Sequence, residues 1–298
     1  METLPVNRLL AAFRLGIWLS VTVALMPVQL AAVVLRCRPV YEGLPQAYHR
    51  LSCRIMGFEV VVHGVREAGR PVLYAVNHVS YLDIMVLGSL IPGSFVAKTE
   101  VAGWPLFGWL AKLQRTLFVE RLARGKAGRQ RDQAAERLAR GDNLILFPEG
   151  TSNDGAHTYP FKTALFAAAL PRSDSALPPP RVQPVSIAYS HLNGIPLGRE
   201  LRPLYAWYGD MTLHDHLARV PGLGQARVQV IFHPAIDPRT LSSRKALAAA
   251  CERVVAEGVA ALISGRIGRP SGAAGLPRTE PGRTGDMLAG RNSADVAA

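Results

Sequence analysis

Val72-Leu73-Tyr74-Ala75-Val76-Asn77-His78-Val79-Ser80-Tyr81-Leu82-Asp83-Ile84-Met85-Val86-Leu87 joins two apolar runs through a short polar turn. Residues 72–76 read as a buried strand. Ile84 to Leu87 starts a second element, a helix reaching about Leu90. His78 and Asp83 stand five positions apart across the turn. On a continuous helix, five steps of about 100° would point their side chains well apart. If Leu82 and Asp83 open the helix instead, His78 lies in the loop before it and its ring can face the carboxylate. An Asp that keeps one imidazole nitrogen protonated leaves the other free to accept a proton from a hydroxyl, which is the chemistry of a general base.

Working outward, strands and helices alternate. Strands are expected at 58–63, 95–98, 116–119, 143–147, 182–188 and 227–232, and helices at 104–113, 125–140, 161–170 and 242–263. Ser242 or Ser243 caps the last helix. Pro184 inside its strand predicts an edge position or a bulge. The pattern predicts an α/β fold: a single domain with a mixed β-sheet flanked by helices, preceded by an N-terminal membrane-associated helix. After Gly265 the chain is rich in Gly, Pro, Arg and Ser and reads as a disordered tail.

Leu15 to Leu35 carries no charge and is long enough, at roughly 20 residues, to cross a bilayer. Arg8 and Arg14 flank it on one side, Arg36 and Arg38 on the other, and Pro27 interrupts it. Basic residues at both ends also permit a helix lying in one leaflet. Pro39 to Ile55 follows as an amphipathic connector. Over the whole chain of 298 residues the net charge is +12. That surplus suits nucleic acid, an anionic membrane or an anionic substrate. No basic stretch interleaved with aromatics and no nucleic-acid motif occurs, so a nucleic-acid partner is not expected. Cys37, Cys53 and Cys251 are scattered, without metal-ligand spacing, and suggest a reducing compartment.

Two further turns follow buried strands. Phe147-Pro148-Glu149-Gly150-Thr151-Ser152 sets a carboxylate, a flexible Gly and two hydroxyls where α/β sheets place their sites. Phe118-Val119-Glu120-Arg121 sets an Arg at the end of another strand. Together, Asn-His-x4-Asp at 77–83, Phe-x-x-Arg at 118–121, Phe-Pro-Glu-Gly-Thr at 147–151 and Pro-Val at 184–185 resemble the glycerolipid acyltransferase family in order and spacing. The resemblance covers roughly residues 58–190, and an N-terminal apolar segment is usual there too.

The resemblance implies transfer of a fatty acyl group from a thioester, acyl-CoA or acyl carrier protein, to the free hydroxyl of a lysolipid. His78 matches the base and Asp83 its orienting partner. Lys98, Arg121, Glu149, Gly150 and Thr151 match substrate-binding positions. No metal, cofactor or covalent enzyme intermediate is implied. The activated thioester needs no enzyme nucleophile, and no G-x-S-x-G elbow is present. Ser80 is the one candidate Ser beside His78. The implied division is residues 1–56 as a membrane-anchoring segment, 57–266 as the acyltransferase domain and 267–298 as the tail. The implied location is a bacterial inner membrane with the catalytic face toward the cytoplasm.

Two positions depart from the family pattern. Arg115 stands where a Gly is usual, and Ser152 where an Arg is usual. A missing Arg removes a bidentate phosphate ligand. The first expected acceptor is 1-acyl-glycerol-3-phosphate, giving phosphatidic acid. The run Leu113-Gln114-Arg115-Thr116, with Phe-Val-Glu-Arg and Glu-Gly-Thr-Ser, also resembles the bacterial branch that acylates lyso-ornithine lipid. A non-catalytic lipid-binding module is the alternative of another class.

Overall fold

A computed structural model of the chain describes residues 6–69, 71–120, 127–171 and 178–267. The expected tail, apart from Ile267, and Arg121 lie outside these residues. The strands are β1 (Phe58–Gly64), β2 (Val72–Val76), β3 (Ser94–Lys98), β4 (Leu117–Val119), β5 (Leu144–Leu146), β6 (Arg181–Leu192), β7 (Ile195–Pro196) and β8 (Ala226–Phe232). The helices are α1 (Arg8–Val34), α2 (Arg38–Met56), α3 (Leu82–Leu90), α4 (Phe107–Leu113), α5 (Ala127–Ala139), α6 (Leu213–Arg219) and α7 (Arg244–Ile263). The strands make one mixed sheet in the order β1-β8-β6-β2-β5-β3-β4, with β7 added to β6. From β6 to β4 every neighbour is parallel. β8 runs antiparallel to β6, and β1 follows β8.

The two-residue period of the strands divides the core. Val72, Tyr74 and Val76 point to one face, with Met56, Leu82, Val86 and Tyr189. Leu73 and Ala75 point to the other, with Leu144, Leu247 and Val255. The first face is covered by α2 and α3, the second by α5 and α7. The parallel order sets the carboxyl ends of β2, β5, β3 and β4 side by side. That topology brings Asn77-His78, Phe147 to Thr151, Lys98 and Glu120 to one edge.

α1 is fastened along its length. Asn7 N donates to Gly222 O at 3.1 Å, and Arg14 Nη1 donates to Pro221 O and Gly224 O at 2.8 Å each. Further along, Trp18 stacks on Phe107 at 6.3 Å, and Thr22 Oγ1 meets Tyr48 Oη at 2.8 Å. Gln29 Nε2 reaches Tyr41 O and Leu113 O. Pro27 lies inside α1 without ending it. The face turned away from these partners exposes Leu9, Phe13, Leu19, Val23, Leu30 and Val34.

The departures from expectation have local causes. The helix expected from Trp104 begins only at Phe107, because a 3₁₀ turn, Thr99–Gly103, and Pro105 precede it. Between 161 and 170 only a 3₁₀ turn, Leu165–Ala169, forms. Pro184 is not in an edge strand, since β6 lies between β8 and β2. Val185 pairs with Phe232 while Val182 bridges to Ile236, so residues 183–184 face 233–235. Pro184 thus sits at a bulge, where no regular ladder bond is required of it. Arg115 has φ 59°, the left-handed region that favours Gly. Its guanidinium compensates: Nη2 donates to Asp142 Oδ2 at 3.0 Å, and the plane lies 4.7 Å from the Tyr41 ring centre.

Candidate active site

β2 ends at Val76 and α3 begins at Leu82, so the intervening turn carries His78 at the sheet edge. His78 Nδ1 donates to Asp83 Oδ2 at 2.9 Å. The same oxygen accepts the backbone N–H groups of Val79 (2.7 Å) and Ser80 (3.0 Å). Asp83 Oδ1 accepts the hydroxyl of Tyr189 at 3.0 Å. Asp83 is 0% exposed, and four donors surround it. These donors satisfy both oxygens of a side chain that has lost all contact with water. Burial, then the adjacent Asp83 carboxylate, push the Tyr189 hydroxyl well above its ordinary pKa, so it remains a donor.

The ring of His78 stacks on Phe147 at 4.0 Å and 19°. Phe147 in turn stacks on Phe95. With the plane fixed by Phe147 and Nδ1 fixed by Asp83, Nε2 is the nitrogen left for a substrate. The side chain is 19% exposed and lines a cavity of about 360 Å³.

That cavity runs over the first face of the sheet. Trp18, Leu25, Met26 and Gln29 of α1 form one wall, and Tyr48 and His49 of α2 another. Lys98, Gly150, Thr151 and Ser152 line it near His78, under Trp207 and Tyr208. Tyr81, also on the lining, is held by His216, whose Nδ1 lies 3.1 Å from its hydroxyl. Burial lowers the pKa of His216 to about 4. Three polar atoms on lining residues, Trp18 Nε1, Gln29 Oε1 and His49 Nδ1, are buried without a partner among the described residues.

Glu149 is not on the lining. Its Oε1 accepts His78 N at 2.8 Å, and its Oε2 accepts Asn153 Nδ2 at 2.7 Å and Tyr159 N at 2.8 Å. The side chain therefore ties the two motif turns together beneath the site, and Asn153 N completes the tie by donating to His78 O at 3.0 Å. Burial raises the carboxyl pKa, and these donors oppose the rise. Gly150 has φ 72°, which a β-carbon disfavours, and this turn brings Gly150 and Thr151 to the cavity. Ser152 is buried, and its hydroxyl donates to Trp207 O. Ser80 is buried too and does not line the cavity. Among the described residues no group of three or more His, Cys, Asp or Glu side chains could hold a metal ion.

Sequence reasoning missed Tyr189, Asn153 and the stacking surface of Phe147. Tyr189 had a signal: it continues the inward alternation of Val185 and Ile187, and a buried Tyr needs a partner for its hydroxyl.

Glu149→Gln separates a buttress from a substrate ligand. A glutamine amide would turn hydrogens toward groups that are all donors, at a cost of about 1–3 kcal/mol. Thermal stability and kcat should fall, kcat by about tenfold or more. A rise in acceptor KM with kcat and stability unchanged would return Glu149 to substrate binding.

The family model described as Acyltransferase matches residues 59–188. The chain is 40% identical over 258 residues to the lyso-ornithine lipid O-acyltransferase of Rhizobium meliloti, covering 85% of this chain and 86% of that one. It is 42% identical over 224 residues to the protein of that name from Brucella abortus, covering 75% and 84%. It is 33% identical over 188 residues to the 1-acyl-sn-glycerol-3-phosphate acyltransferase of Neisseria gonorrhoeae, covering 61% and 69%. The crystal structure of the 1-acyl-sn-glycerophosphate acyltransferase of Thermotoga maritima shares the fold, with a TM-score of 0.62 at 24% identity over 85% of this chain and 94% of that one. With relatives this similar over most of its length, the chain belongs to the acyltransferase family.

Proposed function

We propose that this acyltransferase moves a fatty acyl group from a thioester to the free hydroxyl of lyso-ornithine lipid, with His78 as general base. The carrying observation is the His78–Asp83 pair at an apolar cavity large enough for part of an acyl chain. His78 Nε2 takes the proton as the acceptor oxygen attacks the thioester carbonyl. The new C–O bond forms, and the tetrahedral intermediate breaks its C–S bond. The imidazolium, stabilised by Asp83, returns the proton to the leaving thiolate. No enzyme nucleophile takes part, in keeping with the burial of Ser80.

Lys98, Gly150 and Thr151 hold the head group near His78, and Arg121 serves as a further cation. Relatives named lyso-ornithine lipid O-acyltransferases are the more similar ones. Ser152 supports the same choice. It brings no charge to a phosphate, and its hydroxyl already serves the Trp207 carbonyl. An acceptor without a phosphate monoester therefore fits better than 1-acyl-glycerol-3-phosphate, the acceptor first expected from sequence. The donor is acyl-CoA or acyl carrier protein; both are anionic and suit the +12 charge. Deleting the gene should remove ornithine lipid and accumulate its lyso form. Unchanged ornithine lipid with lost phosphatidic acid would assign the other acceptor.

The protein lies on the cytoplasmic leaflet of the inner membrane. α1 is a candidate span by length and composition, yet its fastened face, from Asn7 to Gln29, covers roughly 33 Å of axis. A helix bound to the domain over that length fits better as one laid along a leaflet, with its apolar face in lipid and anionic head groups around the basic rim. Phe13, Val23 and Leu30 point outward, and each contributes about 1.5–3 kcal/mol on burial in lipid. Changing all three to serine should move the protein from washed membranes to the soluble fraction, whereas high salt alone should not. Release of the unaltered protein by salt would show a purely electrostatic attachment.

A further inference from the structure

Trp104, Trp207 and Tyr81 stand together on the cavity lining, beside the motif turns. Trp104 meets Trp207 at 5.9 Å and 87°, and Tyr81 meets Trp207 at 6.1 Å and 75°. Such a contact sets the edge of one ring on one face of the other and leaves the opposite face free of it. Trp207 is fixed by both turns. Its backbone N–H donates to Val79 O, next to His78, at 3.0 Å, and its carbonyl accepts the Ser152 hydroxyl. Its indole Nε1 donates to Met211 O at 2.8 Å, which sets the plane of the ring. The Tyr81 hydroxyl is engaged by His216 Nδ1. With these polar atoms in use, what Trp207 and Tyr81 offer a ligand is aromatic surface. Trp104 and Trp207 are each only half-buried.

Among the described residues no Asp or Glu lies on the lining. Asp83 and Glu149, the carboxylates of the two turns, are off it, with both oxygens of each hydrogen-bonded. A cation entering the cavity therefore meets no carboxylate there. The electron-rich face of an indole is the group that can stabilise it, Trp being the strongest of the aromatic side chains in this role. The acceptor argued above brings such a cation: the side chain of ornithine ends in a primary ammonium, which 1-acyl-glycerol-3-phosphate lacks. We propose that Trp207, with Trp104 and Tyr81, forms an aromatic subsite for the side-chain ammonium of the lyso-ornithine head group. This rests on that reading of the acceptor. Trp207 is tied to the residue after His78, so a head group held against it stays close to the base. Lys98, on the same lining, suits the carboxylate of the same head group. Ser152 then acts through Trp207, as a positioning residue that holds its carbonyl.

The test uses the full-length protein in membranes, with a single acyl thioester and competing acceptors. These are lyso-ornithine lipid, its form trimethylated on the side-chain nitrogen, which keeps the charge, and its form acetylated there, which loses it. Selectivity is a ratio within one enzyme preparation, so partial loss of folded protein cancels. The wild type should prefer both charged acceptors to the acetylated one by about tenfold. Trp207→Leu should bring that ratio near one, and Trp207→Phe should restore part of it. Trp104→Leu should lower it independently. Equal use of charged and acetylated acceptors by the wild type would overturn the subsite and leave the acceptor reading standing. So would a preference unchanged in both leucine variants, as expected if the rings only pack together. A preference for the ammonium with the trimethylated form used no better than the acetylated one would assign a hydrogen-bond acceptor instead, and would overturn the subsite as well. Transfer to 1-acyl-glycerol-3-phosphate with none to lyso-ornithine lipid would overturn the acceptor reading itself.

Discussion

His78→Ala is expected to lower the kcat of acyl transfer by about 10²–10⁴, the usual contribution of a positioned base. A neutral alcohol attacks a thioester slowly, so losing the proton acceptor removes activation at the reacting oxygen. No other lining residue replaces it. The ring of His49 packs against Gly88 of α3 with its pKa lowered to about 4 by burial, and burial raises the pKa of Tyr81. The fold should survive. The backbone N–H of residue 78 still meets Glu149, and the lost side chain makes one hydrogen bond and one ring contact. The measurement is turnover of thioester by wild-type and variant protein at matched folded concentration. Wild-type turnover by the alanine variant would end the proposal for His78.

Asp83→Asn is expected to lower kcat by up to about 10⁴, the scale of the corresponding change in the serine-protease triad. Asparagine can keep the geometry: its oxygen can face the Val79 and Ser80 N–H groups, and its amide hydrogens the Tyr189 hydroxyl, which can turn to accept. What it cannot keep is the charge that stabilises the imidazolium. The loss should therefore appear in kcat with little change in the KM of either substrate. A fall in thermal stability alone, with kcat retained, would make Asp83 a purely structural anchor for the turn.

The strand–turn–helix around His78 was legible because β2 and α3 differ in period and the turn carries the only polar residues between them. β2 and α3 form at the expected residues, Val72–Val76 and Leu82–Leu90. The other blocks were legible as ends of buried strands, and the parallel order β2-β5-β3-β4 brings those ends together. Which way a side chain turns at such an end was not legible. Glu149 and Thr151 are two positions apart, yet one lies beneath His78 and the other in the cavity, because Gly150 turns the backbone through a positive φ. The role of α1 was hidden for a different reason. An apolar run of this length reads as a span, and nothing local tells that Gln29 and Thr22 mark the face packed on the domain. Arg115 was legible as an anomaly, but its compensation depends on Tyr41 and Asp142, both distant in sequence.

Acyl transfer to the hydroxyl of lyso-ornithine lipid through His78 requires both that acceptor and that side chain. It is tested most directly by giving membranes containing the wild-type protein a labelled acyl thioester with equal amounts of lyso-ornithine lipid and 1-acyl-glycerol-3-phosphate, beside membranes containing the His78→Ala variant. The label should enter ornithine lipid preferentially with the wild type and fall to background with the variant. Label entering phosphatidic acid instead, or entering ornithine lipid equally with both proteins, would contradict the account.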